Sequence, residues 1–211
     1  NRSGVAEIPN DLTDVIAIES GLEHSLALKL DGTVVGWGGG ASAEIPVGLT
    51  DVVAIAGGFF SSLALKADGT VVAWGNNGLG ETDVPVDLIN PVAIAGGMLH
   101  SLALRSDGTV VGWGVAAYAD VPANLTDVIA ISSFFTHSLA LKSDGTVVAW
   151  GDSVSGQTVV PVDLTDVIAV SAGYEHSLAL KSDGTVVAWG ENSSGQTDVP
   201  VDLTNVISVG G

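Results

Sequence analysis

Apolar residues in this chain come in short bursts of four or five, each cut by Gly, Asp or Ser, and the bursts recur. The stretch 176–190, His-Ser-Leu-Ala-Leu-Lys-Ser-Asp-Gly-Thr-Val-Val-Ala-Trp-Gly, returns almost letter for letter at 137–151, with weaker copies at 24–38, 61–75 and 100–114. Within each copy the pattern predicts four short segments. The first, Asp-Val-Ile-Ala-Ile at 14–18 and 127–131 with variants starting at Asp51, Asn90 and Asp166, is β-branched and apolar on both faces, as expected of a fully buried strand. The second, Ser-Leu-Ala-Leu-Lys from Ser25, puts both leucines on one face at period two. Its other face carries only Ser, Ala and Lys, so a neighbouring layer can come close. The third, 33–37, is again strand-like. The fourth is the few residues before a proline, such as 197–199, and belongs at a sheet edge because proline donates nothing to a ladder.

Asp-Gly joins segments two and three at Asp31, Asp68, Asp107, Asp144 and Asp183, a strong hairpin signal. No window holds a 3.6-residue amphipathic period, so almost no helix is expected. Trp37, Trp74, Trp113, Trp150 and Trp189 mark steps of 37, 39, 37 and 39 residues. Nine residues separate Trp from the next Pro in copies one and three, eleven in the others. Four short antiparallel strands per ~40 residues predict an all-β propeller with four-stranded blades packed face to face about an axis. A β-solenoid is the alternative, but its coils are shorter and need no hairpin. The chain reads as one domain, 1–211, with repeats at about 14–50, 51–89, 90–126, 127–165 and 166–204 and partial repeats at 1–13 and 205–211. Those fragments could pair to close the ring. They could equally mark missing copies or copies from a second chain, so closure or self-association is expected to hide the open edges.

The formal charge of −18, from 24 acidic against six basic residues, argues against nucleic acid and anionic membranes as partners. It solvates a chain whose mean hydropathy is +0.48. There is no cysteine, hence no disulfide or thiolate metal site. Gly and Asp interrupt every apolar run before 18 residues. A start at Asn1 without Met or signal peptide reads as a processed or trimmed end.

The His-Ser-Leu-Ala-Leu-Lys-x-Asp-Gly-Thr-Val-x-x-Trp-Gly unit, followed by Gly-Gln-Thr-x-Val-Pro at 156–161 and 195–200, resembles the regulator-of-chromosome-condensation (RCC1-like) repeats. It is most similar to the bacterial branch that includes the β-lactamase inhibitory protein II. The resemblance implies a propeller, usually of seven blades, from which five and a fraction departs. It also implies a binding protein rather than an enzyme: exchange factors, photoreceptors, inhibitors and adaptors share the fold. The photoreceptor stretch Gly-Trp-Arg-His-Thr corresponds here to 173–177, Gly-Tyr-Glu-His-Ser, without Trp or Arg.

Candidate chemistry is sparse. His24, His100, His137 and His176 share one register, with Ser61 in copy two. Equivalent positions in successive blades spread around an axis, so they read as structural ties rather than a metal set, and no metal or cofactor is expected. The Asp-Gly acids are turn residues, and the basic residues two positions before them are solvated hairpin charges. No calcium loop, catalytic elbow or phosphate loop is present, and no catalytic residue is expected. Asn-x-Ser/Thr acceptor patterns start at Asn1, Asn124 and Asn192 and read as chance matches.

The informative contrast is internal. Strand and turn letters hardly change between copies, but the residues before the His register do: Leu22, Phe59, Phe60, Met98, Leu99, Phe134, Phe135 and Tyr174. Phe134 stands where the other copies have Gly. These positions occupy one loop of each blade and hence one rim of the disc. A rim rich in Phe, Tyr, Met and Leu suits partner contact. In inhibitory relatives the corresponding loops carry aromatics that meet the target enzyme, so the resemblance gives that role to Phe59, Phe60, Phe135 and Tyr174. The expectation is a non-enzymatic, protein-binding propeller, an inhibitor of a secreted enzyme in its sharpest form, extracellular or at a bacterial cell surface. The alternatives are a carbohydrate-binding propeller, with Tyr174, Tyr118 or Phe59 stacking on sugars, or an enzyme using Glu23 and Glu175. The loop after Trp-Gly, holding Asn76, Tyr118, Asp152 and Glu191, is the weaker contact candidate.

Overall fold

The computed structural model describes residues 7–210. Five copies give five antiparallel three-stranded sheets. Copy one forms β1 (Val15–Ser20), β2 (His24–Lys29) and β3 (Val34–Gly38); copy two β4 (Val52–Gly57), β5 (Ser61–Lys66) and β6 (Val71–Gly75). Copy three forms β7 (Pro91–Gly96), β8 (His100–Arg105) and β9 (Val110–Gly114). Copy four forms β10 (Val128–Phe134), β11 (His137–Lys142) and β12 (Val147–Gly151), and copy five β13 (Val167–Ala172), β14 (His176–Lys181) and β15 (Val186–Gly190). The only helical pieces among the described residues are single turns at Ala41–Ala43 and Ala116–Ala119.

Each hairpin closes on the Asp-Gly turn. In copy one Asp31 Oδ1 accepts from the Thr33 backbone N–H (3.0 Å) and hydroxyl (2.6 Å). Gly32 lies at φ +78°, and its carbonyl accepts from Val52 N–H of the next copy at 3.0 Å. A Cβ there would come within 3.2 Å of Asp51 Cα, so glycine is required by both the turn and the junction.

The first segment departs from expectation. Its strand starts one residue late, because Asp14, Asp51, Asn90, Asp127 and Asp166 adopt left-handed backbone (φ 49 to 61°), which short polar side chains tolerate. A bulge then follows in every copy, between Val15 and Ala17 in the first. It turns the second apolar residue outward, so Ile16, Val53, Val92, Ile129 and Ile168 are exposed and the strand is not buried on both faces. The fourth segment is not a strand, and the blades have three. The carbonyl just ahead of it accepts from side chains of the next copy: Ser42 O from the Trp74 indole (2.8 Å) and the Ser62 hydroxyl (2.9 Å), Gln157 O from Trp189 (2.8 Å) and Ser177 (2.9 Å).

The core lies between sheets. At each of four junctions the Leu-x-Leu face of one copy meets the Ala and Trp of the next, joined by a Val at all but the second, where Pro91 takes its place. Leu26 and Leu28 pack on Val52, Ala64 and Trp74; Leu139 and Leu141 pack on Val167, Ala179 and Trp189. Those four leucines are essentially fully buried, and the alanine opposite leaves room for the close approach. Packing follows chain order from the first sheet to the fifth. The first strands of copies one to four border a shared axial cavity of about 130 Å³, lined by Glu19, Gly57, Gly96, Ser132 and Ser133. Burial raises the Glu19 carboxyl pKa there, partly offset by its hydrogen bond with the Gly57 backbone.

The end sheets do not pack on each other as neighbours do. Ile18 is 71% exposed where its copy-two equivalent, Ile55, is 7% exposed, and Leu178 is half-buried. The terminal fragments do not pair to close a ring over the described residues. Ile8 and Leu12 lie by Val15 and Trp37 on sheet one, whereas Val206 and Val209 lie by Leu178 and Val186 on sheet five. Residues 1–6, with the Asn1 acceptor pattern, lie outside the described residues.

Candidate functional site

The pre-histidine loops of copies one to four are tied into one row. Leu22 N–H donates to Phe59 O (3.1 Å), Phe59 N–H to Gly97 O (2.9 Å) and Met98 N–H to Phe135 O (2.7 Å). Each loop end also accepts from the loop after Trp-Gly: Gly39 N–H to Glu23 O (2.6 Å), Asn76 to Phe60 (2.9 Å), Val115 to Leu99 (2.8 Å), Asp152 to Thr136 (2.9 Å), Glu191 to Glu175 (2.9 Å). Both variable loops therefore share one end of the molecule. The sequence held the signal, since His opens the second strand and Trp-Gly closes the third, and the open ends of a hairpin lie together. Glu191 and Asp152, ranked as the weaker loop, belong to the same surface.

The row carries one aromatic cluster built from copies two, four and five. The Phe59 ring lies 4.7 Å from Phe60, 6.1 Å from Phe134, 5.4 Å from Phe135 and 6.4 Å from Tyr174, centroid to centroid. Phe135 and Tyr174 stack at 3.9 Å with 18° between ring planes. Phe59 is the buried centre, 8% exposed, whereas Phe60 (39%) and Tyr174 (50%) face solvent and Phe134 and Phe135 are half-buried. Leu22 is exposed, and Met98 and Leu99 are half-buried; these join the row through their backbones.

Copy four is built differently to contribute two rings. Elsewhere the residue after the first strand is Gly, and a Cβ at Gly21, Gly97 or Gly173 would sit 2.2 Å from Cε1 of that copy's own histidine. With Phe134 in this place, β10 runs one residue longer, pairs Phe134 with His137, and turns through Phe135 at φ 44°. A bulky residue in left-handed backbone is strained by about 1–3 kcal/mol, and such strain collects at binding surfaces.

Beneath the rim, histidines connect sheets and do not converge on a metal. His24 Nε2 lies 2.8 Å from Ser62 Oγ, His100 2.8 Å from Ser138, and His137 2.9 Å from Ser177. Ser62 and Ser177 spend their single hydroxyl proton on the Ser42 and Gln157 carbonyls, so His24 and His137 donate from Nε2. Nδ1 of His100 and of His137 is buried without a partner. Burial lowers both pKa values to about 4, with the neighbouring histidine adding repulsion in each case (His137 on His100, His176 on His137). No group of three metal-ligating side chains occurs among the described residues.

Comparison with known proteins places this geometry. The regulator of chromosome condensation (RCC1) repeat matches at residues 15–42, 52–81, 128–157 and 167–196, together more than half of the chain. No curated protein matches the sequence. Among solved structures, Prp20p of Saccharomyces cerevisiae is 21% identical with a TM-score of 0.73 over 91% of this chain and 62% of its own. Human WBSCR16 is 20% identical with a TM-score of 0.68 over 87% and 64%. The ectodomain of the Physcomitrella patens receptor kinase CR4 gives 21% and 0.70 over 83% and 50%. The chain thus spans less than two thirds of each of these structures, and the likeness shows the propeller fold. Copy three is not among the matched residues, and it carries Pro91 and the helical turn at Ala116–Ala119. With the repeat matched in four copies, and its hairpins, inter-sheet tryptophans and propeller packing seen in the structure, the chain belongs to the RCC1 repeat family.

Proposed function

We propose that this chain is a non-enzymatic binding protein that holds a protein partner against its aromatic rim. The observation that carries the reading is the single cluster of Phe59, Phe60, Phe134, Phe135 and Tyr174, contributed by three copies whose strands are otherwise nearly identical. An exposed aromatic patch at one end of a rigid scaffold marks an interaction site. Backbone bonds between the loops hold it in place, so binding orders little chain. Relatives of this fold are described with protein partners: Prp20p with Gsp1p and histones, and the same yeast protein bound to Kap60. The sharper form of the proposal is inhibition of a secreted enzyme outside a bacterial cell. It rests on the similarity of the His-Ser-Leu-Ala-Leu-Lys unit to the inhibitory branch.

A lectin would repeat an equivalent sugar site from copy to copy. The rim residues differ between copies and merge into one site, which favours a protein. The test pairs a glycan array with capture of partners from the native environment. Phe60→Ala and Tyr174→Ala should each weaken the captured complex by about 1–3 kcal/mol without moving the melting temperature. Phe59 is unsuited to that test, since its burial makes truncation destabilising. Glycan binding that Tyr174→Ala abolishes would refute the proposal.

A further inference from the structure

The rim is polarised in charge as well as apolar. The described basic residues, Lys29, Lys66, Arg105, Lys142 and Lys181, all end a second strand, and the histidine or serine at the rim begins it. Six residues of strand place them about 17 Å away. Four of the five also pair with their own turn carboxylate, at 4.0, 3.5, 3.5 and 3.8 Å. Of the rim histidines, His24, His100 and His137 are buried and His176 is half-buried, and burial lowers the pKa of each. Among the described residues, then, the aromatic end carries acids and no cation. Two of those acids flank the stacked pair. Glu175 follows Tyr174, and the Ser155 hydroxyl donates to Glu175 Oε2 at 3.2 Å. Glu191 bonds the Glu175 carbonyl through its N–H, and its own carboxylate accepts from the Ser193 N–H at 2.7 Å. Glu175 and Glu191 thus stand on adjoining loops beside a pair of π faces, an arrangement that suits a cation.

We propose that the rim recognises an arginine side chain on a basic segment of its protein partner, its guanidinium lying over the Phe135–Tyr174 pair and its charge met by Glu175 and Glu191. The inference rests on the protein-binding reading above. A planar guanidinium can stack on an aromatic face and bond two carboxylates along its edge; an ammonium is a compact, strongly hydrated charge and fits less well. Charge complementarity across the rim also makes association fast at low salt and steeply salt-dependent.

The probe is a short peptide with one arginine and one leucine, against the same peptide with lysine or with uncharged, isosteric citrulline, titrated into the amide-labelled protein. The arginine peptide should shift the resonances of Phe135, Tyr174, Glu175 and Glu191 and bind about tenfold more tightly than the citrulline peptide, with lysine between them. The double variant Glu175→Gln, Glu191→Gln should bring arginine down to the citrulline level, with the protein's melting temperature unchanged. Equal affinity of arginine and citrulline peptides, or no shifts with either, overturns the inference. If both bind equally and Phe60→Ala weakens both, the apolar rim stands and the cationic partner falls. If neither binds while the rim variants still weaken a captured protein complex, the inference alone is lost.

Discussion

Acid should loosen the junctions between sheets well before it protonates the turn carboxylates. His100 and His137 are buried, with pKa values lowered to about 4, and the unfolded chain protonates them near 6.5. The folded pKa is depressed, so below 6.5 the unfolded state binds more protons and stability falls until the pH reaches the folded value. The loss per histidine is RT ln of the ratio of the two binding polynomials, about 2–3 kcal/mol between pH 7 and about pH 4.5. Two such residues lose about 5 kcal/mol, a large share of an ordinary domain's stability. His24 and His176 shift in the same direction, also through burial, and add to the slope. The turn acids Asp31, Asp68, Asp107, Asp144 and Asp183 have pKa values lowered chiefly by bonds from the Thr two residues on. Their contribution is present above about 4 and lost as pH falls further, so it lies outside this window. The assay is urea denaturation at pH steps between the two values. His100→Gln with His137→Gln keeps an N–H donor for Ser138 and Ser177 but does not titrate, and should flatten the pH dependence. Equal stability at both ends of the window, or an unchanged slope in the double variant, would refute the neutral-histidine junction.

Four further outcomes follow from the packing. Leu63→Ala and Leu139→Ala, each fully buried at a junction, should cost about 2–5 kcal/mol in chemical denaturation, and a loss under 1 kcal/mol would contradict the inter-sheet core. Gly97→Ala drives a Cβ into the His100 ring; the cost of about 1–3 kcal/mol should shrink when His100 is also truncated, as a double-mutant cycle would show. Gly108→Ala, at φ +78° and within 3.2 Å of the Asp127 backbone, should lower the midpoint by at least about 1 kcal/mol. Phe135→Gly relieves left-handed strain but removes half of the Phe135–Tyr174 stack, so it should leave stability nearly unchanged while weakening partner binding.

Much of this was legible in the letters. Asp-Gly located the hairpins, Leu-x-Leu opposite Ala predicted closely packed sheets, and the variable residues before His identified the rim. Three features were not. The bulge after Asp14 and its equivalents leaves no mark that period-two reading detects, because Val and Ile look equally buried on either face. The fourth segment reads as a strand from its β-branched residues, yet Trp and Ser of the next copy take the carbonyl just ahead of it, a long-range contact that local pattern does not carry. Phe59 reads as a surface contact like its neighbours, and only the approach of copies four and five shows it as the cluster's buried centre. One letter did foretell a loop: Gly36 and Gly112 replace the alanine before Trp in the two copies with the short Trp-to-Pro spacing. A Cβ at either would lie 2.3 or 2.1 Å from the carbonyl of Ala43 or Ala119 in the helical turn above it.

The central claim is that unlike loops from separate copies meet in one aromatic surface. Nuclear Overhauser contacts between specifically labelled rings test it in solution. The account predicts cross-peaks from Phe59 to both Phe135 and Tyr174, residues more than seventy positions away in the chain. Rings that show contacts only within their own copy would contradict it.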